Sequence, residues 1–145
     1  MPRIIVERII PFKKEKVYEI LKKVEDFPTF MKSIRSLKVV DRSDNRLVTS
    51  WQVDIDGALI MWEEEDFFDD KNFSLRFNML KGDYGSYSGE WKLEDSGANH
   101  TKINLTANFD WGVPVLEKFV GDVLEKKAKK YALSMLKALK NKLNE

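Results

Sequence analysis

The sequence predicts an α+β fold in which a curved antiparallel sheet of about seven strands wraps around a long C-terminal helix, with two short helices after the first strand. Three observations predict it. Apolar and polar residues alternate with a period of two from Ser33 to about Phe109, the pattern of strands with one covered face. Clusters of turn-forming residues cut that stretch into successive short segments, which read as a meander. From about Pro114 to Leu143 there is no further proline and only one glycine, Gly121. That leaves a helix of about thirty residues, roughly 45 Å long at 1.5 Å per residue.

Each element has its own signal. Arg3 to Ile10 is rich in β-branched residues and reads as a strand, which Pro11 ends. From Lys13 to Lys23 the apolar positions Val17, Ile20, Leu21 and Val24 follow helical spacing beneath a lysine-rich outer face. Asp26 and Pro28 then suit the start of a second short helical turn. Strands follow around Leu37–Val39, Leu47–Val53, Phe73–Met79, Tyr87–Leu93 and Ile103–Phe109, with one more after Asp56-Gly57. The separators are Ser43-Asp44-Asn45, Asp56-Gly57, Asp69 to Asn72, Lys81-Gly82-Asp83 and Asp95 to Asn99. In the last helix the apolar stripe moves from Leu116, Phe119, Val120 and Val123 round to Leu124, Ala128, Tyr131, Met135 and Leu139. A drifting stripe suits a helix that crosses a twisted sheet.

Composition narrows the function. The 145 residues suit one domain, 1–145, and 43% apolar against 34% charged residues is the balance of a globular chain. With no cysteine and one histidine, thiolate and multi-histidine metal centres are excluded, and no cofactor is expected. A formal charge of +1 gives no global field for nucleic acid, so no DNA partner is expected. The longest apolar run, Ala58 to Trp62, is far short of the roughly 20 residues of a membrane span. A cytoplasmic location without an integral membrane segment is the expectation.

Register supplies the candidate site. Asp56-Gly57 is a strong two-residue hairpin signal, and it would set Ile55 opposite Ala58, Val53 opposite Ile60, Trp51 opposite Trp62 and Thr49 opposite Glu64. A next turn centred on Asp70-Lys71 would set Phe68 opposite Phe73, Asp66 opposite Leu75 and Glu64 opposite Phe77. Glu64 and Asp66 would then share the concave side with Trp51, Trp62 and Phe77, while Glu63 and Glu65 face solvent. A carboxylate among aromatics has its pKa raised by desolvation, as a general acid or a ligand anchor requires. The competing expectation is that a bulge puts both acids at a wet rim, since a slip of one residue reverses every assignment. Lys127 falls where the early helical stripe asks for a hydrophobe; it would reach Glu64 or an acidic head group, or push its ammonium out to water.

A long helix cannot touch every strand of a curved sheet, so the space beneath it is packed or hollow. An empty apolar space of about 300 Å³ would cost up to about 7 kcal/mol. Such a space is kept small, wetted or filled by a guest.

The order strand, helix, short helix, meander and long helix resembles the helix-grip fold of the START-like superfamily over essentially the whole chain. Val17-Tyr18-Glu19-Ile20-Leu21, Val24 to Met31, Ser36-Leu37-Lys38-Val39-Val40 and Gly89-Glu90-Trp91-Lys92-Leu93-Glu94 carry a narrower likeness. Through them the sequence resembles the polyketide cyclase/dehydrase family, which includes coenzyme Q-binding proteins and a ribosome-association toxin branch. The resemblance implies a pocket between sheet and helix for a lipid, quinone, sterol or aromatic polyketide.

On that basis Trp51, Trp62, Phe77, Tyr87, Trp91 and Phe109 are expected to wall the sheet side of a hydrophobic-ligand site, Phe119, Val120 and Val123 the helix side, and Phe30 with Met31 a lid-like end. Glu64 and Lys127 are its polar candidates. An aromatase or cyclase would instead employ Glu64, Asp66 and Tyr87 as acid–base groups. The stretch Glu117 to Lys142 has eight lysines and three acids, so a ribosome or lipid-surface contact through that helix is a third expectation. The plain alternative is a solvated face balancing the acidic run from Asp54 to Asp70. Three further motifs have structural readings. His100 lies at a turn without a nucleophile elbow, Asp54 to Gly57 is a hairpin before it is a calcium loop, and Gly82, Gly85 and Gly89 are turn or bulge residues.

Overall fold

The computed structural model describes residues 3–55, 57–83, 85–110 and 114–144, with side chains of the last helix at Val123 and from Glu125 onward. Seven strands are present: β1 (Arg3–Ile10), β2 (Ile34–Ser43), β3 (Arg46–Ile55), β4 (Ala58–Asp69), β5 (Ser74–Gly82), β6 (Ser86–Asp95) and β7 (Thr101–Asp110). They form one antiparallel sheet in the order β1-β7-β6-β5-β4-β3-β2. Helix α1 (Lys14–Leu21) and a 3₁₀ helix (Val24–Thr29) lie between β1 and β2, and α2 (Pro114–Leu143) follows β7. The sheet curls around α2, which packs on β1 and reaches β3, strands near opposite edges. From Ala128 onward α2 buries Ala128, Ala132, Met135, Leu136, Leu139 and Leu143 against the core. This is the i, i+3/i+4 stripe of an amphipathic helix. Among the described residues no helix is long and apolar enough to cross a membrane.

The β3–β4 hairpin has the register its turn residues dictate. Ile55 pairs with Ala58, Val53 with Ile60, Trp51 with Trp62 and Thr49 with Glu64. Gly57 has φ 91° and donates its N–H to Asp54 Oδ1 at 2.7 Å. Asp54 also pairs with Arg35 at 2.9 Å, and both donors hold its carboxyl below the ordinary range, so this acid is occupied by the hairpin. Asp56 lies outside the described residues.

The β4–β5 connection corrects the sequence expectation. Asp69 pairs with Ser74, Phe68 with Leu75, Asp66 with Phe77 and Glu64 with Met79, so the turn is four residues long and the pairing is two residues away from the register expected. Asn72 closes it by donating to Asp69 Oδ2 at 2.8 Å. Phe73 turns through φ 51° and lays its ring edge-on to Tyr18 at 5.4 Å. Because the shift is even, every side chain keeps its face. Further along, Glu63 pairs with Lys81 but Glu64 with Met79, which leaves Leu80 as a bulge. The bulge bends the strand without turning Glu64 outward.

Gly89 is a mid-strand residue of β6, paired with both Phe77 and Ala107, rather than a turn residue. A Cβ there would overlap the Thr106 carbonyl oxygen and lie 2.6 Å from Phe77 Cζ. Only glycine lets Phe77 lie this close to the sheet.

Helix α1 is clasped to the β4–β5 loop by Tyr18. Its hydroxyl lies 3.0 Å from both Asp70 Oδ1 and the Ser74 carbonyl oxygen, and Lys22 Nζ is 3.0 Å from the same Asp70 oxygen. Burial and the adjacent Asp70 raise the Tyr18 pKa, so the phenol stays a donor. Tyr18→Phe keeps the ring on Phe73 and removes the hydroxyl, and it should cost about 1 kcal/mol of unfolding free energy. Urea titration measures this, and an unchanged midpoint would show the clasp to be offset by water.

Candidate functional site

The concave faces of β3 and β4 carry the only buried acids among the described residues. Thr49 and Trp51 on β3 and Trp62, Glu64 and Asp66 on β4 all point inward, and Thr49, Glu64 and Asp66 are 0%, 4% and 1% exposed. Their polar atoms form a connected chain. Trp51 Nε1–H donates to Thr49 Oγ1 at 2.8 Å, Thr49 donates to Asp66 Oδ2 at 2.7 Å, and Trp62 Nε1–H donates to Glu64 Oε1 at 2.7 Å. The two carboxyls hydrogen-bond to each other. Asp66 Oδ1 is buried without a hydrogen-bond partner.

Electrostatics divides the roles. Burial first, then the charge of Asp66 and the hydrogen bond to it, push the Glu64 carboxyl well above the usual range. Burial also raises Asp66, but hydrogen bonds from Glu64 and Thr49 oppose the rise. The pair therefore takes up protons above the usual carboxylate range, with the larger rise at Glu64. The groups acting on Glu64 are Asp66 and Trp62. Lys127, half-buried on α2, is not among them.

Aromatic rings surround the pair. Trp51 and Trp62 stack at 5.5 Å and 10°, Tyr87 lies edge-on to Trp62 at 5.5 Å and tilted to Phe77 at 5.0 Å, and Phe27 is edge-on to Trp51 at 6.3 Å. The void they enclose is lined by Val24, Phe27, Trp51, Trp62, Glu64, Asp66, Leu75, Phe77, Tyr87, Trp91, Leu105, Tyr131 and Met135 and measures about 20 Å³. That is space for about one water. In this part of the interior the indoles and phenyls have kept the hollow small.

The structure brings together Trp51, Trp62, Glu64, Asp66, Phe77, Tyr87 and Trp91 from the residues singled out in the sequence. Met31 and Phe109 are buried but do not line the void, and Phe30 is half-buried beside Phe27 at 5.9 Å. Val123 is 53% exposed instead of forming wall, and among the described side chains of α2 those that pack in the core belong to the later stripe. The side chains of Phe119 and Val120 lie outside the described residues. His100 is exposed, with Nδ1 2.8 Å from the Ala98 carbonyl oxygen. Among the described residues no cluster of histidine and acid side chains has metal-binding geometry.

Sequence reasoning did not assign Thr49 a role in the site. Its signal was present, since the hairpin register sets an inward polar residue opposite an inward acid. Phe27, Leu75, Leu105, Tyr131 and Met135 also line the void, and they read only as core because periodicity gives a face and no depth.

Comparison with known proteins agrees with this architecture. The structure of TTHA0849 from Thermus thermophilus superposes with a TM-score of 0.91 and 30% identity, over 97% of this chain and 95% of that one. The Zhui aromatase/cyclase from Streptomyces sp. R1128 gives 0.87 at 16% identity over 97% and 92%. A START superfamily protein from Mycobacterium smegmatis gives 0.85 at 14% over 98% and 97%. These likenesses establish the helix-grip fold of START-like proteins. The ribosome association toxin RatA of Escherichia coli (strain K12) is 19% identical over 128 residues, 88% of this chain and 80% of the toxin. Residues 10–135 match the family model for polyketide cyclase/dehydrase and lipid transport, and the chain belongs to that family.

Proposed function

We propose that the protein binds a small hydrophobic, largely aromatic molecule between the curved sheet and α2, with the Glu64–Asp66 pair as its polar anchor. One observation carries this reading: two hydrogen-bonded carboxyls are buried among Trp51, Trp62, Phe77 and Tyr87, where apolar residues of the same volume would cost the fold less. Aromatic walls gain by burying a guest, and a few fixed polar groups orient it. Because the described void has room for about one water, a guest enters by displacing side chains. Of the lining residues, Tyr87 and Tyr131 are the two half-exposed ones, and they are the ones placed to move.

The raised pKa of the buried Glu64 carboxyl, in a chain of the polyketide cyclase/dehydrase family, also favours a second reading, proton transfer on a polyketide-like chain. One experiment serves both. Organic extracts of purified protein are analysed by mass spectrometry, and melting is followed with a panel of quinones, sterols, fatty acids, aromatic polyketides and arylalkylamines. A true ligand at 100 times its dissociation constant should add about 2.7 kcal/mol of stability. No extracted guest and no shift across the panel would overturn the binding reading. Under the enzyme reading, Glu64→Gln abolishes turnover of a ligand so found; under binding alone there is no turnover to lose.

A further inference from the structure

We infer that the guest of this site carries a basic nitrogen, a protonated primary amine on an aromatic or apolar body, in preference to a carboxylate or a neutral alcohol. The inference rests on the binding reading above and specifies the chemical class. Asp66 is 1% exposed and its Oδ1 has no ordinary donor. No lysine, arginine or histidine is among the groups acting on either carboxyl. The site thus holds two buried acids, one oxygen of which has no hydrogen-bond partner, and no cation among the described residues to balance a charge on them. Buried charges of this kind are held only when something compensates them.

The surroundings favour the same sign. Trp62, Phe77, Tyr87 and Trp91 line the void around the carboxyls. Aromatic faces carry the negative end of the ring quadrupole, so they attract a cation and oppose an anion. The void of about 20 Å³ has room for about one water, and an ammonium head is of that size. Its N–H groups would donate to Asp66 Oδ1, the buried oxygen that has no hydrogen-bond partner. A fatty-acid head would set a second carboxylate against Asp66 within low dielectric, a like-charge contact that excludes it.

A matched series tests this: 4-phenylbutylamine, 4-phenylbutanol and 4-phenylbutyrate share one body and differ in head group. Calorimetric titration at pH 7 should give the amine a dissociation constant about tenfold below that of the alcohol, the difference between charge-assisted and neutral hydrogen bonds. The butyrate should be weakest. In Asp66→Asn the advantage of the amine over the alcohol should vanish. Alcohol or acid binding as tightly as the amine would overturn the amine preference and leave the binding reading standing. An amine advantage undiminished in Asp66→Asn would overturn it too, by placing the responsible charge elsewhere. Failure of all three compounds to bind would count against this inference and the binding reading together.

Discussion

Replacing Trp51 with alanine should lower the unfolding free energy by about 3–5 kcal/mol, the usual cost of truncating a buried tryptophan. Trp51 is 6% exposed, stacked on Trp62 and in edge contact with Phe27, so its removal opens a cavity that rigid strands on both sides cannot close. A second loss comes with it. The indole N–H donates to Thr49 Oγ1, which in turn donates to Asp66, and the alanine variant leaves that hydroxyl short of its donor in a dry interior. Trp51→Phe separates the two effects, because it keeps most of the ring and removes only the N–H. It should cost about 1–2 kcal/mol, the price of one buried hydrogen bond and a small void. Urea denaturation measures both variants. A loss below about 1 kcal/mol for alanine would mean that the stack is not part of the core.

Glu64→Gln should make the protein more stable, and increasingly so as pH rises. The native state holds a proton on Glu64 that the unfolded chain releases near the ordinary value of 4.5. Between that pH and the raised folded-state value, the folded form binds more protons than the unfolded form, so stability falls as pH increases. The raised pKa of Asp66 acts with the same sign. Asp54 and Asp69, held low by Arg35 and Asn72 respectively, act oppositely but only in acid, where their carboxylates protonate. Glutamine reproduces the neutral acid: its oxygen accepts from Trp62 and its amide donates to Asp66, with no proton to lose. Denaturation curves from about pH 4 to about pH 9 should therefore nearly coincide at the acid end and diverge upward. The variant should be ahead by about 1–3 kcal/mol at the alkaline end, the scale of a buried group left uncompensated. Parallel curves would show that Glu64 is not the proton-bearing member of the pair.

A stabilising substitution at the centre of the fold is informative about function. Core residues retained for stability alone lose stability when replaced, whereas residues retained for a ligand commonly gain it. Trp51 and Glu64 lie within one network on neighbouring strands, yet their variants should move stability in opposite directions. That contrast separates framework from site.

The sequence by itself determined the elements, their order and their faces. Period two and period 3.6 are local properties, and Asp56-Gly57 fixed the β3–β4 register because a two-residue turn admits one pairing. That parity alone was enough to send Glu64 and Asp66 inward with Trp51 and Trp62. Only the tertiary structure decided the rest. The β4–β5 turn took four residues because Phe73 gains contact with Tyr18, a residue more than fifty positions away, and no local propensity encodes that distance. The size of the hollow depends on how side chains from five strands and two helices meet, which is a property of volume and not of pattern. The same holds for the electrostatics of the acid pair: strand alternation put the acids side by side, but the dry aromatic wall raises both and the Thr49 hydroxyl opposes the rise at Asp66.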